Sequence, residues 1–476
     1  MYKFHHSVLR AYDIRGIVGE TLNHKDAYFV GKSFSKVLSD EHKKKVVIGF
    51  DGRLSSPELR DSLIKGLTES GMEVINIGLC PTPMLYFGVY HLKADAGIMI
   101  TGSHNPGHHN GFKFLLKDRP FFGADIANIG KIAETGDFPK GSGLVYEKDI
   151  MNDYIDRLVE DSAIATDSEL LDELDGFLKD KKKHLKISWD IGNGSTGEVV
   201  KKLTQKLKAK HFLLFEDIDG NFPNHHPDPT DEHNLVDLKK SVLDNMCDIG
   251  IAFDGDGDRI GVVDDEGKVI WGDQLMCLFA RDVLEEYPGA TIIADVKASQ
   301  VLFDEIKKFG GNPLMWKTGH SLIKSKMKET KAPLAGEMSG HMFFADHYYG
   351  FDDGIYAAIR LINILMKSKR LLSDIRKSLP KTFSTIEIKI ACAEDKKFAI
   401  VDSLKKQLRE KNINFNDVDG IRTLNEHGWW LLRASNTSAY LIARCEAQSE
   451  ENLNYLKKDL SSWLSNNQIS IPKELN

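Results

Sequence analysis

Three consecutive α/β units followed by an α+β unit with an antiparallel sheet are the architecture that this chain of 476 residues predicts. Three observations carry that expectation. Short apolar runs alternate with helix-period stretches up to about Ser378, and the alternation restarts at Leu185 and again near Asp248. Three junctions repeat one pattern, an apolar strand closing on Asp and Gly: Gly49-Phe50-Asp51-Gly52-Arg53, Trp189-Asp190-Ile191-Gly192-Asn193-Gly194 and Ala252-Phe253-Asp254-Gly255-Asp256-Gly257. After about Ser378, strands follow one another through short turns, as in an antiparallel sheet covered by helices on one face. The expected divisions are 1–150, 151–253, 254–377 and 378–476.

In the first unit Val46 to Phe50, Glu73 to Ile77 and Ala96 to Ile100 read as strands. Helices are expected from Pro57, whose fixed φ suits a helix start, to Ser70, and from Thr82 to Leu92. Asn110 to Leu116 reads as a turn and a further strand. In the second unit Ile187 to Trp189 is a strand, Asp190 to Gly197 a glycine-rich loop and Glu198 to Leu207 an amphipathic helix. The third carries helix patterns at Asp273–Glu286, Gln300–Phe309, Leu322–Glu329 and Gly354–Lys367, with strands at Thr291–Val296, Pro313–Lys317 and Met342–Ala345. In the last, strands at Thr385–Ala391, Gly420–Leu424, Gly428–Arg433 and Ala439–Ala447 are interleaved with helices at Lys396–Lys411 and Glu450–Asn466.

Composition narrows the function classes. With 41% hydrophobic and 28% charged residues the chain is an ordinary globular protein, and a net charge of −7 with no basic, aromatic-rich tract argues against nucleic acid as a partner. Lys43-Lys44-Lys45 and Lys181-Lys182-Lys183 each precede an apolar strand and read as solvated element ends. Cys80, Cys247, Cys277, Cys392 and Cys445 are odd in number, far apart and without CxxC spacing, which fits neither a zinc site nor a disulfide framework and suits a reducing cytoplasm. No signal-peptide core and no run of about eighteen apolar residues is present, so a cytoplasmic protein without a membrane partner is expected.

Four loops carry chemistry. Thr101-Gly102-Ser103-His104-Asn105-Pro106 ends an apolar strand; Gly102 permits a sharp bend and Pro106 stops regular structure. Ser103 is therefore expected at a rigid, exposed corner beside His104, either as a nucleophile or as a turn serine bonding its own backbone. Asp254-Gly255-Asp256-Gly257-Asp258-Arg259 sets three carboxylates at alternate positions with glycines that let the backbone curl around one hard cation. As an EF-hand opening it fits poorly, because the sixth position is Arg259 and the flanks read as strands. Three protein ligands leave positions for water or a phosphate oxygen, a magnesium habit, and Arg259 beside them suits a phosphate or a hydroxyl-rich ligand.

Gly336-Glu337-Met338-Ser339-Gly340-His341 offers acid, hydroxyl and imidazole to a polyol, or is a structural turn, and Lys317-Thr318-Gly319-His320 ends a strand in the same way. Arg433-Ala434-Ser435-Asn436-Thr437-Ser438 is an anion cradle or a polar hairpin turn. His225, His226, Asp228 and His233 lie in a proline-rich loop without helical register and read as loop residues. Coexistence decides among these readings. A hydroxyl nucleophile, a divalent-metal loop, a polyol loop and an anion cradle are the parts needed to move a phosphoryl group between a serine and a sugar.

The ordered set Tyr12-Asp13-Ile14-Arg15-Gly16, Thr101 to Pro106, Asn110-Gly111-Phe112-Lys113, Asp254 to Arg259, Asp295-Val296-Lys297, Lys317 to His320, Gly336 to His341 and Arg433 to Thr437 closely resembles the α-D-phosphohexomutase superfamily, and within it the bacterial phosphomannomutase/phosphoglucomutase family, over essentially the whole chain. The resemblance implies four domains around a central cleft: three with mixed sheets, and a fourth that closes over them. It implies that Ser103 is the phosphorylated catalytic serine and that Asp254, Asp256 and Asp258 bind Mg2+ together with a phosphoserine oxygen. Glu337 and Ser339 would contact neighbouring ring hydroxyls, and Arg433, Ser435, Asn436 and Thr437 the distal phosphate. Lys297, His320 and His341 match further substrate contacts, and Tyr12, Arg15 and Lys113 match residues around the phosphoserine. Lys113 or His320 is expected as general acid/base, and His104 as a residue that shapes the serine loop.

The implied activity is interconversion of hexose 1-phosphate and hexose 6-phosphate through phospho-Ser103 and a hexose 1,6-bisphosphate, with glucose or mannose 1,6-bisphosphate as activator. A loop reading O3 and O4 does not separate glucose from mannose, which differ at C2, so both are expected. Related phosphoglucosamine mutases carry Gln where this chain has Met338, which weighs against glucosamine phosphate. The alternatives are a phosphoglucosamine mutase, a magnesium-dependent sugar phosphatase in which water attacks the phosphoserine, and a non-catalytic phosphosugar-binding protein, which would have lost Ser103 or a metal carboxylate. An acidic chain needs a locally cationic cleft, and Arg15, Lys113, Arg259, Lys297, His320 and Arg433 are its expected source. No long heptad pattern is present, so a monomer acting on phosphohexoses is expected.

Overall fold

The structure, a computed structural model, describes residues 1–165, 185–436 and 439–475; Lys181-Lys182-Lys183 and Thr437 lie outside them. The first sheet contains β1 (Ile14–Ile17), β2 (Lys45–Phe50), β3 (Glu73–Leu79), β4 (Ala96–Ile100), β5 (His109–Leu116) and β6 (Val145–Glu147), in the order β1-β5-β4-β2-β3-β6. β2 runs parallel to β3 and β4, whereas β5 is antiparallel to β4 and β1. Parallel neighbours need crossovers, and helices Ser56–Thr68 and Thr82–His91 supply them, each with a proline in its first turn where the missing N–H is not needed.

The second sheet contains β7 (Lys186–Asp190), β8 (Lys210–Leu214), β9 (Ile249–Phe253), β10 (Ile260–Asp264) and β11 (Val269–Ile270), in the order β11-β10-β9-β7-β8. The third contains β12 (Thr291–Asp295), β13 (Asn312–Trp316), β14 (Leu334–Gly336) and β15 (Met342–Phe344), with β12 parallel to both neighbours and β15 antiparallel to β14. The fourth contains β16 (Phe383–Ser384), β17 (Ile388–Ala391), β18 (Phe415–Asn416), β19 (Ile421–Thr423), β20 (Trp429–Ala434) and β21 (Tyr440–Ala447), paired antiparallel throughout. Three mixed sheets and one antiparallel sheet are the expected fold class.

A division after residue 253 does not follow the sheets. β9 and β10 pair from Ile249 with Asp264 to Phe253 with Ile260, so Asp254 to Arg259 is the turn of a single hairpin and the second sheet continues to Ile270. The metal loop thus belongs to the second unit. Its Asp-Gly opening matches the strand-to-helix junctions after Phe50 and Trp189, and that likeness hides the hairpin in the sequence.

One apolar core runs through the first three units. Phe87, Trp189, Phe253, Phe279 and Tyr356 all belong to it, and helix Gly354–Ser368 lies inside it for most of its length. The fourth unit has its own core around Trp430 and Leu460 and meets the third through a small patch of Val296, Trp429 and Leu431. The loops that carry the motifs leave the carboxyl ends of β2, β4, β7, β9, β12, β13 and β14, the edge where open α/β sheets present ligands.

Candidate active site

Ser103 has φ +52°, a left-handed conformation that costs a non-glycine residue on the order of 1–3 kcal/mol and persists only where its surroundings impose it. The buried Arg53 imposes it. Its Nη2 donates to the carbonyls of Ser103 (2.7 Å) and Asn105 (2.5 Å), and its Nη1 to those of Pro106 (2.5 Å) and His109 (3.0 Å). Arg53 Nε pairs with Asp51 (3.0 Å), which also accepts from the Gly102 N–H (3.2 Å). A Cβ on Gly102 would stand 2.5 Å from the guanidinium carbon, so only glycine lets the cation come this close. The expected exposed corner is not what forms. Ser103 is 1% exposed, because the Asp254 loop folds over it so tightly that a Cβ on Gly255 would lie 2.5 Å from the Ser103 carbonyl oxygen.

Ser103 Oγ donates to Asp254 Oδ2 (3.1 Å) and lies 3.2 Å from His104 Nδ1. Burial, then the charges of Arg259, Arg15 and Lys113, push the His104 imidazole well below its usual range, so it is neutral. Asp254, Asp256 and Asp258 are fully buried, with one oxygen of each within 4.8 Å of the others. Burial and its two acidic neighbours push Asp254 well above the usual carboxylate range. Burial opposes the charge on Asp256 too, but the Lys113 ammonium at 2.7 Å and the Thr82 hydroxyl at 2.5 Å hold it low. Lys113 Nζ also reaches Asp258 at 2.5 Å; burial works against its charge, yet the three carboxylates hold it above the usual lysine range. Asp256 Oδ1 and Asp258 Oδ1 remain buried without hydrogen-bond partners. Two orphaned hard oxygens beside a third carboxylate that is driven towards protonation fit a divalent cation, whose charge would let all three ionise.

Arg259 Nε donates to His341 Nε2 (3.0 Å), and its backbone N–H to Asp254 Oδ1 (3.2 Å). His341 Nδ1 faces Asp352 Oδ2 (3.1 Å) and, further off, Asp258 Oδ1 (3.6 Å). Asp352 also pairs with Lys324 (2.8 Å) and lies 3.6 Å from His320 Nδ1. Burial, then Lys324, pushes His320 well below its usual range. Burial opposes the charge on Asp352, but Lys324 and the two histidines hold its carboxyl low. Glu337 accepts from the Gly319 N–H (2.5 Å) and from Ser339 Oγ (3.4 Å), which ties the polyol-type loop to the loop before His320.

Across the cleft, Arg433 Nε pairs with Asp419 (2.9 Å), whose same oxygen accepts from the Thr318 N–H (3.0 Å). Lys297 pairs with Glu387 (3.0 Å) and Arg15 with Asp13 (2.7 Å). Ser435 closes β20 with its N–H on the Tyr440 carbonyl (2.9 Å). The Tyr12 hydroxyl donates to the Thr318 carbonyl (2.9 Å) and accepts from Asn436, so its tip is turned to the third and fourth units rather than to Ser103. The expected cationic cleft is therefore an array of ion pairs. Cations buried this closely repel one another; Arg15, Lys113, Lys297 and Arg433 are each matched by a carboxylate, Arg259 donates to His341, and His320 carries no charge.

Several residues in this array were not among those the sequence singled out: Arg53, Thr82, Lys324, Asp352, Glu387 and Asp419. Asp51 and Arg53 stood in one of the three repeated junctions, which was their only signal. The carboxylates lie in loops of ordinary composition, and nothing local marks them.

Comparison with known proteins follows the units. The phosphoglucomutase/phosphomannomutase alpha/beta/alpha domains I, II and III match residues 6–140, 168–267 and 271–383, and the C-terminal domain matches 387–462. A phosphomannomutase/phosphoglucomutase of Pseudomonas aeruginosa is 42% identical over 466 residues, covering 98% of this chain and 97% of that protein. A phosphoglucomutase of Neisseria meningitidis is 40% identical over 464 residues, 97% of each. The crystal structure of a phosphoglucomutase/phosphomannomutase family protein from Burkholderia thailandensis superposes with a TM-score of 0.89 at 37% identity, over 98% of this chain and 100% of that one. With all four domains matched in order along nearly its full length, the chain belongs to the phosphoglucomutase/phosphomannomutase family of the α-D-phosphohexomutase superfamily.

Proposed function

We propose that this chain interconverts hexose 1-phosphate and hexose 6-phosphate, of mannose and of glucose, by way of phospho-Ser103 and a hexose 1,6-bisphosphate that turns over within the cleft. The observation that carries the reading is Ser103 Oγ at 3.1 Å from Asp254 on the three-carboxylate loop. Arg53 and Asp51 hold the serine, and His104 packs beside it. Magnesium on Asp254, Asp256 and Asp258 would neutralise charge on the moving phosphoryl oxygens. Lys113 stays protonated in its double ion pair, and Arg15 stands near it. Of the two expected acid/base groups, the neutral His320 is the one able to accept a proton from a sugar hydroxyl.

Arg433, Ser435, Asn436 and Thr437, with Lys297, hold the non-reacting phosphate, exchanging the Asp419 and Glu387 carboxylates for phosphate oxygens. Glu337 and Ser339 take ring hydroxyls, and Tyr12, Arg259 and His341 line the same space. All of these groups come from one chain, which supports a monomer as the working unit, and five free thiols suit the cytoplasm. Among the described residues no helix is long and apolar enough to cross a membrane.

The test is turnover of glucose 1-phosphate and mannose 1-phosphate with Mg2+ and catalytic glucose 1,6-bisphosphate. Conversion to the 6-phosphates without release of inorganic phosphate is expected, lost on chelation and restored by Mg2+. Ser103→Ala should abolish it, and the single phosphate expected in the intact mass of the wild type should be absent from the variant. Stoichiometric free phosphate would favour a sugar phosphatase. A higher kcat/KM for glucosamine 1-phosphate than for either hexose would favour a phosphoglucosamine mutase.

A further inference from the structure

We infer that Thr82 is a positioning residue for the metal loop: its hydroxyl, with the Lys113 ammonium, gathers the hydrogen bonds of Asp256 on Oδ2 and leaves Oδ1 to the cation. The inference rests on the phosphoryl-transfer reading above for what the metal does, and on the hydrogen bonds alone for where the carboxylate points.

Thr82 Oγ1 donates to Asp256 Oδ2 at 2.5 Å, and Lys113 Nζ donates to the same oxygen at 2.7 Å. Oδ1 is buried and accepts no hydrogen bond. A carboxylate that turns about its last bond exchanges its two oxygens. Lys113 by itself does not prevent this, because its ammonium ends a flexible stem, also serves Asp258 at 2.5 Å, and can follow either oxygen. The Thr82 hydroxyl cannot follow. It stands on a side chain that is branched at Cβ and fully buried, and the Thr82 N–H is itself fixed to the Asp256 carbonyl at 2.8 Å. Thr82 therefore selects which oxygen of Asp256 is left free.

The helix that carries Thr82 is seated on the sheet that carries Ser103. Thr82 opens helix Thr82–His91 with a proline in the first turn, and the helix is buried from Thr82 to Val89. It presses on β4 so closely that a Cβ on Gly97 would stand 2.7 Å from Val89 Cγ2, and β4 leads directly to the Ser103 loop. On the metal loop, Pro81 and Thr196 close on Gly257, which has φ +75°; a Cβ there would lie 2.3 Å from Thr196 Cγ2. Asp256 and Ser103 come from separate units, yet both take their places from one rigid frame.

The competing explanation is that Thr82 only joins the first unit to the second through its N–H. Thr82→Val keeps the N–H and the branched shape but lacks the donor, and Thr82→Ser keeps the donor. Mn2+, which takes oxygen ligands as Mg2+ does, is titrated into each purified protein with the free ion counted by electron paramagnetic resonance. Mg2+ activation is measured in parallel with glucose 1-phosphate as substrate. Positioning predicts a Kd for Mn2+ ~10- to 100-fold weaker in Thr82→Val, and within about threefold of the wild type in Thr82→Ser. The Mg2+ concentration for half-maximal turnover should rise in step with the Kd, while KM for glucose 1-phosphate stays within about threefold. A structural joint predicts instead a lower thermal midpoint in EDTA with an unaltered Kd for Mn2+. That result overturns the inference, as does a Thr82→Ser protein that binds Mn2+ as weakly as Thr82→Val, or a wild type without saturable Mn2+ binding. If Thr82→Val does not fold, Thr82→Ala, which also lacks the hydroxyl, decides by the same Kd. A wild type that binds Mn2+ yet leaves glucose 1-phosphate unconverted would sink the activity reading, while the Mn2+ titration would still test Thr82.

Discussion

A guanidinium presents five donors in a rigid fork and no acceptor, which suits a turn whose carbonyls all point inward. Arg53 meets four such carbonyls around Ser103 and one carboxylate, Asp51, and so holds the serine at φ +52°. Removing the cation strands Asp51 in a buried site. Arg53→Met is therefore expected to lower unfolding free energy by about 3–5 kcal/mol, read by urea denaturation. Arg53→Lys keeps the charge but not the fork, so it should fold and yet misplace Ser103. Its kcat should fall by on the order of 100-fold with KM little changed, because the loss is in placing the reacting oxygen. A lysine variant with native kcat would show that Ser103 needs no such staple. The residue types at the centre of the site were legible in the sequence. Their ion-pair partners were not, because Lys113 meets Asp256 across 143 residues and Thr82 meets the same carboxylate across 174.

At the scale of elements, most of the strands and helices were legible because their apolar periods are local. Full-length helices at His24–Asp40, Ala124–Thr135, Met151–Glu160 and Val236–Asn245 are nevertheless missing from the sequence reading, and so are the shortest strands. Of Thr385–Ala391, expected as one strand, only Ile388–Ala391 forms one (β17); the two-residue β16 lies just before that range, and neither it nor the two-residue β18 is expected from the sequence. His225 lies in a loop, as its sequence context predicts, and it fastens that loop to the end of β7 through Asp190 at 3.0 Å. Burial works against the charge on His225, while the hydrogen bond and charge of Asp190 raise its pKa above the usual histidine value. A raised folded-state value means that the stabilisation is fully present below about pH 6.5, the unfolded value, and is lost as pH rises through the folded one. Asp190 is itself shifted upward by burial, which acts at the acid end of the range. His225→Gln should thus cost about 1 kcal/mol at pH 6 and less at pH 9. An equal cost at both pH values would show that the pair contributes no charge interaction.

Over the whole molecule, the continuous core makes the first three units one body, while the fourth is joined mainly by polar contacts. Arg422 donates to the carbonyls of Val296 (2.6 Å) and Ala298 (2.7 Å), and Glu446 accepts from Ser299 (2.8 Å). Asp419 and Tyr12 complete the joint on the cleft side, Tyr12 alone touching three units from its place before β1. Polar joints exchange for water far more readily than an apolar core does. Tyr12→Phe removes two hydrogen bonds of the joint, each worth about 0.5–1.5 kcal/mol. It is expected to raise KM for glucose 1-phosphate about threefold to tenfold with a smaller change in kcat, and to enlarge the radius of gyration of the ligand-free protein in small-angle scattering. Unchanged values in both measurements would place the joint elsewhere. Glucose 1,6-bisphosphate, spanning both sides of the cleft, should stabilise the protein by about 2.7 kcal/mol at a hundred times its Kd, read as a shift in thermal midpoint.

By itself the sequence determined the fold class, the strand-end loops and the chemistry those loops offer: a serine, three carboxylates, a polyol loop and an anion cradle. These are local properties, written in residue type and spacing. Only the tertiary structure decided that Asp254 to Arg259 turns a hairpin of the second sheet, that Ser103 is buried beneath it, and that Tyr12 reaches Thr318 and Asn436. It also decided that Arg15, Lys113, Lys297 and Arg433 each have a carboxylate against them. Those outcomes depend on which distant groups share a low-dielectric space, where an unpaired charge is too costly to persist, and no local pattern records which carboxylate will be there to meet it.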